Sequence, residues 1–208
     1  MRTEETVFIV DDDTAVRESL RALLESAALN VDDFSSAAAF LGSYVPHRPG
    51  CLVVDIRMPD MDGLELQEEL VRRSIELPVI VVTGHADVPL AVRAMKAGAV
   101  DFIEKPFDDN LLLDGIGRAL EAGRQRRSHA DFSQAARTRI AGLTQREREV
   151  LEHLVSGQSN KVIAYELDIS PRTVEVHRAN LMEKMRARTL SDLVRMALEA
   201  GVGHGDKT

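Results

Sequence analysis

The sequence has few of the features that mark secreted or membrane proteins. Its single cysteine, Cys51, excludes an internal disulfide and suits a reducing cytoplasm. No apolar run reaches the roughly 18 residues that a membrane span needs. The opening segment MRTEETVFIV is acidic and leads straight into a strand-like run, unlike a secretory signal. We therefore expect a cytoplasmic protein with no membrane partner.

Several functional motifs are also missing. The chain has no G-x-x-x-x-G-K stretch, which excludes a P-loop ATPase. No cysteine or second histidine has the spacing of a zinc site, and there is no internal repeat. What is present is 208 residues with 44% apolar and 29% charged content, enough for two modest domains with real cores.

Charge is divided unevenly along the chain. Residues 1–121 carry 11 basic and 23 acidic side chains, whereas residues 122–208 carry 15 and 11. The first part is therefore net −12 and the second net +4, together the −8 of the whole chain. This division predicts two domains with different partners, and nucleic acid is a candidate for the second.

Residues 1–121 alternate between strand-like and helix-like segments. Continuous apolar runs such as PVIVV at 78–82 are typical of strands buried on both faces. The pattern predicts an α/β fold with a doubly wound, five-stranded parallel sheet. The predicted strands are 6–10, 30–34, 52–54, 78–82 and 100–103, and the last helix of this domain is expected over 108–120.

Polar side chains follow four of these strands. Because the carboxyl ends of parallel strands share one edge, we expect crowded carboxylates there, where ligands bind such sheets. Carboxylate oxygens suit Mg²⁺ (or Mn²⁺), while a lysine and a hydroxyl could hold a phosphoryl group attacked by a carboxylate. The alternative is that Asp55 simply ends a strand and enters a turn. The residues are Asp11, Asp12, Asp55, Thr83 and Lys105.

These residues stand in the motifs D11-D12, D55-I-R-M-P-D-M-D-G, T83-G and K105-P-F. Over roughly residues 4–122 they resemble the receiver domain of two-component response regulators, a flavodoxin-like fold. The resemblance implies that a histidine kinase phosphorylates Asp55 and that Thr83 and Lys105 contact the phosphate. It implies a Mg²⁺ site made by Asp11, Asp12, Asp55 and the Arg57 carbonyl. It also implies a cis bond before Pro106.

The sequence departs from the usual receiver pattern at two positions. Gly84 stands where alanine is frequent, which we expect to leave the phosphate site open. Phe102 stands where tyrosine is frequent, and we expect it to switch together with Thr83 after phosphorylation. Arg57 and His85 flank the acceptor and could tune hydrolysis of the acyl phosphate, although His85 could equally be an exposed loop histidine.

The remaining chain is helical in pattern. Residues 122–142 are charged and lack proline, which predicts a linker that is helical or a solvated, flexible connector. Residues 143–201 predict four helices, and residues 202–208 a polar tail. Thr144 with Glu147 forms a capping box, Asn160 could cap the second helix, and Ser191 could open the fourth.

Two short helices joined by DIS, with Pro171 in the first turn of the second, predict a helix-turn-helix. An ordinary helical bundle with a solvated basic face is the alternative. The stretches LTQREREVL, GQSNKVIA and SPRTVEVHRANLMEKM strongly resemble the four-helix DNA-binding domain of LuxR/NarL-type regulators. Base edges would face Arg172, Glu175, Val176 and Ala179. Phosphates would be contacted by Thr173, His177, Arg178, Asn180, Lys184 and Lys161.

Two longer stretches, TGHADVPLAVRAMKAGAVDFIEKPF and LDISPRTVEVHRANLMEKM, resemble the response regulators of nitrogen-fixation genes. That resemblance implies an oxygen-sensing haem kinase as phosphodonor and promoter activation under low oxygen. Without an ATPase, the chain should act by recruiting RNA polymerase. Phosphorylated receivers would form a homodimer on double-stranded promoter DNA. The expected dimer contacts are Val92, Met95, Lys96 and Asp101.

Two rival functions remain at this point. A Mg²⁺-dependent phosphatase would use Asp11 and Asp13 as a D-x-D pair, but no further acid is placed to activate water. A receiver joined to an RNA-binding or protein-binding helical module is the second rival. We do not expect an enzyme: the receiver should catalyse only its own phosphotransfer and dephosphorylation.

Overall fold

The computed structural model describes residues 5–85 and 87–202, which form two compact units that divide between Arg126 and Arg127. Most of the predicted tail, residues 203–208, lies outside the described residues. None of the described helices combines the length and apolar character that a membrane span needs.

The first unit is built on a parallel sheet in the order β2-β1-β3-β4-β5. The predicted α/β fold class is therefore confirmed. The predicted ranges of β4 and β5 lie one residue before the observed ranges, and β3 begins two residues before the predicted range 52–54. The strands are β1 (Thr6–Val10), β2 (Asn30–Phe34), β3 (Gly50–Val54), β4 (Val79–Thr83) and β5 (Asp101–Glu104).

Alternating side chains of the strands supply two separate cores. Phe8, Leu52 and Val81 pack on one face of the sheet, and Ile9, Val53 and Ile80 on the other. Burial on both faces explains why these strands are continuous apolar runs in the sequence. The first core is covered by α2 (Ala37–Ser43), α3 (Gly63–Arg72) and α4 (Val88–Lys96), and the second by α1 (Thr14–Ser26) and the start of α5 (Asp109–Ala141).

Helix α5 does not end near residue 120 but continues through 122–141, the stretch predicted as a linker. Its first part buries Leu112 and Ile116 in the first unit. Further along, Ala136 lies in the core of the second unit, with Phe132 packed against that core. The stretch that was predicted to be a helical or a flexible connector is therefore helical up to Ala141.

The second unit is helical and surrounds one core that includes Val150, Leu151, Ile163 and Leu181. The Thr144–Glu147 capping box is present. Two other expected helix starts were wrong, because Ser159 and Thr189 hold the N-cap positions instead of Asn160 and Ser191. The helices are α6 (Gln145–Val155), α7 (Asn160–Glu166), α8 (Pro171–Met185) and α9 (Leu190–Glu199).

Candidate functional site: a phospho-acceptor pocket and a helix-turn-helix

Backbone hydrogen bonds continue one residue beyond the strands and fix the edge of the sheet. The amide of Asp55 donates to the carbonyl of Val10 at 2.9 Å, and the amide of Lys105 donates to the carbonyl of Thr83 at 2.8 Å. Residues 11, 55, 83 and 105 therefore meet at the carboxyl edge, next to the switch in strand order between β1 and β3. Of the five residues predicted to meet, the structure joins the side chains of Asp11, Asp55 and Lys105, and Thr83 pairs with Lys105 through the backbone.

Lys105 joins two carboxylates in this pocket. Its ammonium donates to Asp11 Oδ2 at 2.8 Å and to Asp55 Oδ1 at 2.9 Å. Asp11 is 3% exposed and Asp55 is 9% exposed, so both pairs are well shielded from water. Burial opposes the charge on Lys105, but the two carboxylates outweigh it and raise the pKa of the ammonium. The Lys105–Pro106 bond is cis, as the resemblance to receiver domains implied.

The carboxyl of Asp55 has a raised pKa. Burial raises the pKa of its carboxyl, and the negative charge of Asp11 adds to the increase, while Lys105 and the Arg57 amide oppose it. The Arg57 amide donates to Asp55 Oδ2 at 2.6 Å. The loop is also held close to α3, since a Cβ on Gly63 would stand 2.3 Å from the carbonyl oxygen of Asp55.

The pocket fits a hard divalent cation by its chemistry. Its donors are oxygens, and the buried carboxylates of Asp11 and Asp55 stand together at the sheet edge, a donor set that suits a hard cation. Asp12 and Arg57 are exposed and line an adjoining open cleft. The carboxylate of Asp12 and the carbonyl of Arg57 could serve there as further oxygen ligands of the cation. Within the described ranges, no three His, Cys, Asp or Glu side chains are already clustered as a metal site, and Lys105 holds Asp11 and Asp55.

Sequence reasoning missed Arg17 as a support of this pocket. Its guanidinium donates to the backbone carbonyls of Asp11 (2.8 Å) and Asp12 (3.1 Å), which fixes the acidic loop after β1. An arginine in the first turns of the following helix was the available signal. Asp13, half of the hypothetical phosphatase pair, caps α1 by accepting from Ala15 at 2.8 Å.

The switch residues differ in their surroundings. Thr83 is fully buried, and its hydroxyl accepts from the His85 amide at 3.3 Å. Gly84 is exposed, and a Cβ there would meet nothing within 4 Å, while its effect on the phosphate site stays a prediction. His85 is exposed beside the cleft. Phe102 is half-buried and packs against the core beneath α4, where its proposed switching stays a prediction.

The predicted dimer residues lie on α4 and β5. Val92 and Met95 are exposed apolar side chains at 45% and 49%, and Lys96 is also exposed. Asp101 is partly buried and forms an ion pair with Arg118 of α5. Leu111, 48% exposed at the start of α5, adds to the apolar surface of this unit. Dimerisation through these residues stays a prediction.

Helix α8 buries one face and exposes another. Val174, Leu181 and Met185 are buried, whereas the four residues predicted to face base edges are all exposed. The Ser170 hydroxyl caps the helix by accepting from the Thr173 amide at 3.1 Å. Exposed on α8 and α7 are Arg172, Glu175, Val176, Ala179, Asn180 and Lys161, with Thr173 and His177 partly exposed.

Two cations of α8 already have partners within the unit. Arg178 donates to Asn160 Oδ1 at 2.6 Å, and Lys184 donates to Glu147 Oε2 at 2.7 Å. Any phosphate contact by Arg178 or Lys184 must therefore share the cation with these acceptors. Asn160 and Glu147 were considered from the sequence only as helix-capping residues, and neither contact with α8 was predicted.

Comparison with known proteins agrees with the geometry of both sites, the acidic pocket of the first unit and the exposed face of α8 in the second. Residues 7–116 match the response regulator receiver domain, and residues 141–197 match the family of bacterial regulatory proteins of the luxR type. The chain belongs to the response regulators with a LuxR-type DNA-binding domain.

Several relatives match nearly the full length of this chain. The transcriptional regulatory protein FixJ of Azorhizobium caulinodans is 57% identical over 204 residues, covering 96% of this chain and 95% of that one. The solved response regulator StyR is 45% identical with a TM-score of 0.81, covering 95% and 100%. Full-length FixJ from B. japonicum is 48% identical with a TM-score of 0.59, covering 96% and 98%.

The family assignment establishes the general activity of the regulator. It is a phosphorylation-dependent transcription regulator whose receiver implies a histidine kinase partner and whose second domain implies DNA binding. Receivers generally bind Mg²⁺ at the phosphorylation site. This is not a classical enzyme family, which removes the basis for the phosphatase rival, and the LuxR-type match argues against an RNA-binding module.

Proposed function

We propose that Asp55 accepts a phosphoryl group from a FixL-like, oxygen-sensing histidine kinase and that the phosphorylated regulator activates nitrogen-fixation promoters under low oxygen. The similarity to FixJ over nearly the full length supports the target genes and the kinase. The single structural observation that carries the acceptor role is the bridge from Lys105 to both Asp11 and Asp55 at the sheet edge.

The chemistry follows from this bridge. An Asp55 carboxylate oxygen attacks the phosphorus of the kinase phosphohistidine, so a P–O bond forms as the N–P bond breaks. Lys105 and the Thr83 hydroxyl hold the phosphoryl oxygens, and Asp11, Asp12, Asp55 and the Arg57 carbonyl would hold the Mg²⁺ (or Mn²⁺). The metal supplies positive charge that offsets the developing negative charge. The same pocket would later hydrolyse the acyl phosphate.

The new phosphoryl carries nearly two negative charges into the pocket. Thr83 then moves toward it, and Phe102 turns into the space that Thr83 leaves. This repacks α4 and β5, where Val92, Met95, Lys96 and Asp101 would pair two receivers. A homodimer would place two α8 helices on half-sites of double-stranded promoter DNA and recruit RNA polymerase.

The acceptor role is tested by Asp55→Asn in a DNA-binding assay with a small-molecule phosphodonor. We expect stimulation to be lost, because an amide cannot attack phosphorus. Asp60→Asn is the matched control, since Asp60 lies on the same loop at φ 67°, a conformation that asparagine tolerates. Stimulation that survives in Asp55→Asn would refute the assignment.

The dimer is tested by gel filtration of the regulator with beryllium fluoride and Mg²⁺. We expect a dimer that Val92→Asp abolishes, because a charge would be buried at an apolar contact. Val45→Asp is the control, since Val45 is 61% exposed outside α4 and β5. A wild type that stays monomeric with Asp55 modified would contradict the dimer step.

The oxygen signal is tested by reconstitution with a FixL-like kinase and ATP at high and low oxygen. We expect phosphate transfer to Asp55 and promoter binding to increase at low oxygen. Transfer from this kinase that fails, while a small-molecule phosphodonor still modifies Asp55, would refute the kinase and leave the acceptor role intact.

A further inference from the structure

Arg17 of α1 connects the acidic loop after β1 to the edge strand β2. Its side chain is 11% exposed, and its Nη1 donates to the backbone carbonyls of Asp11 at 2.8 Å and Asp12 at 3.1 Å. The Nε of the same guanidinium donates to Asp33 Oδ2 at 3.2 Å. Asp33 belongs to β2, which pairs with β1. One side chain therefore ties the loop that carries two expected Mg²⁺ ligands to the neighbouring strand.

Helix stability does not explain a cation at this position. Arg17 is the fourth residue of α1, near the helix end where the macrodipole disfavours positive charge. The helix already has an N-cap, since the Asp13 carboxylate accepts from the Ala15 amide at 2.8 Å. The remaining Nη2 of Arg17 donates to Thr14 Oγ1 at 3.0 Å. A planar guanidinium with an acceptor at each of its three nitrogens is fixed in both position and direction.

We propose that Arg17 is a positioning residue for Mg²⁺, which holds the backbone of Asp11 and Asp12 so that both carboxylates are placed to bind the cation. This role rests on the proposed Mg²⁺ site of the acceptor pocket. The Asp13 amide donates to Asp11 Oδ1 at 2.9 Å, so the direction of that carboxylate depends on the backbone that Arg17 holds. Partners that orient metal ligands from outside the coordination sphere commonly set the metal affinity.

The charge of Arg17 alone would have the opposite effect. A guanidinium repels Mg²⁺, so its removal should tighten metal binding if Arg17 acted only through its charge. Loss of positioning should weaken metal binding, because part of the binding free energy would then be spent on ordering the loop. The direction of the change in affinity therefore distinguishes the two effects.

The role is tested by titrating Mg²⁺ into the unphosphorylated full chain and following the amide NMR signals of residues 11–13. We expect Arg17→Met to raise the dissociation constant about tenfold, the lower end of the effect of such supporting partners. Arg48→Met is the matched control, since Arg48 pairs with Asp32 of β2 and donates to Thr6 Oγ1 at 3.1 Å, where β1 begins. It should lose an ion pair of the same strand without changing the Mg²⁺ affinity.

Two further variants separate position from charge. Arg17→Lys keeps the charge but replaces the planar fork by a single ammonium, so we expect weaker Mg²⁺ binding here as well. Asp33→Asn should weaken binding in the wild-type background but add little to Arg17→Met, because Asp33 acts through Arg17. If Arg17→Met does not fold, Arg17→Lys carries the test.

Unchanged or tighter Mg²⁺ binding in a folded variant of Arg17 would overturn the proposal. An equal loss in Arg48→Met would also overturn it, because the cause would then be general destabilisation of the sheet. A wild type whose amide signals do not respond to Mg²⁺ would instead refute the proposed metal site, on which the role of Arg17 rests.

Discussion

The ion pair between Lys184 of α8 and Glu147 of α6 offers the sharpest test of how the DNA-binding domain is held together. Glu147 has a side chain 4% exposed, and its Oε2 accepts from the Lys184 ammonium at 2.7 Å and from the Thr144 amide at 2.8 Å. Lys184→Met removes the ammonium but keeps a long side chain with good helix propensity. The buried carboxylate then loses the cation that pairs with it.

The expected loss of stability follows from the burial of the two partners. Breaking a fully buried pair costs about 3–5 kcal/mol, and losing one charged hydrogen bond about 1.5–3 kcal/mol. Because the Lys184 side chain is 42% exposed, water replaces part of its effect. We expect the free energy of unfolding to fall by about 1.5–2.5 kcal/mol, or the melting temperature of a domain this small by roughly 6–20 °C.

The effect should depend on pH. Burial alone would raise the pKa of Glu147, but Lys184 and the Thr144 hydrogen bonds outweigh it and hold the pKa below its ordinary value. The stabilisation is therefore complete above the ordinary pKa and disappears as pH falls through the lowered pKa of the folded state. The difference between wild type and Lys184→Met should shrink in acid.

The measurement is a double-mutant cycle of Glu147→Gln and Lys184→Met in the full chain, followed by urea denaturation with amide NMR signals of α6 and α8. We expect a coupling free energy above about 1 kcal/mol. The surface pair Arg146–Glu149, with Arg146 53% exposed, is the matched control and should couple by less than about 0.5 kcal/mol. Additivity within about 0.3 kcal/mol at Glu147 and Lys184 would refute the reasoning.

Three further results are expected. Gly63→Ala should lower stability by about 1–3 kcal/mol and slow phosphorylation, because its Cβ would clash with the Asp55 backbone, while Gly84→Ala should be neutral in urea denaturation. Iodoacetamide should modify Cys51 only after unfolding, because burial raises the pKa of its thiol to about 12, and rapid labelling of folded protein would contradict this. Lys161→Ala should reduce the salt dependence of DNA binding by about one counterion, and an unchanged slope would remove Lys161 from the phosphate contacts.

The sequence by itself determined the sheet and the content of its carboxyl edge. A strand buried on both faces must be apolar throughout, so β1, β3 and β4 were visible as apolar runs that end in polar residues. Because all strands of a parallel sheet have their carboxyl ends at the same edge, Asp11, Asp55, Thr83 and Lys105 were expected to meet there. Family motifs added the cis bond and the LuxR-type domain.

Only the tertiary structure decided which partners those side chains take. Lys105 holds Asp11 and Asp55 at once, and Lys184 holds Glu147, although each contact spans more than 30 residues of chain. Local patterns report propensity and burial but carry no information on long-range pairing. For the same reason, the hydrogen bond from Gln67 of α3 to the Ala94 carbonyl of α4 was not predicted from the sequence.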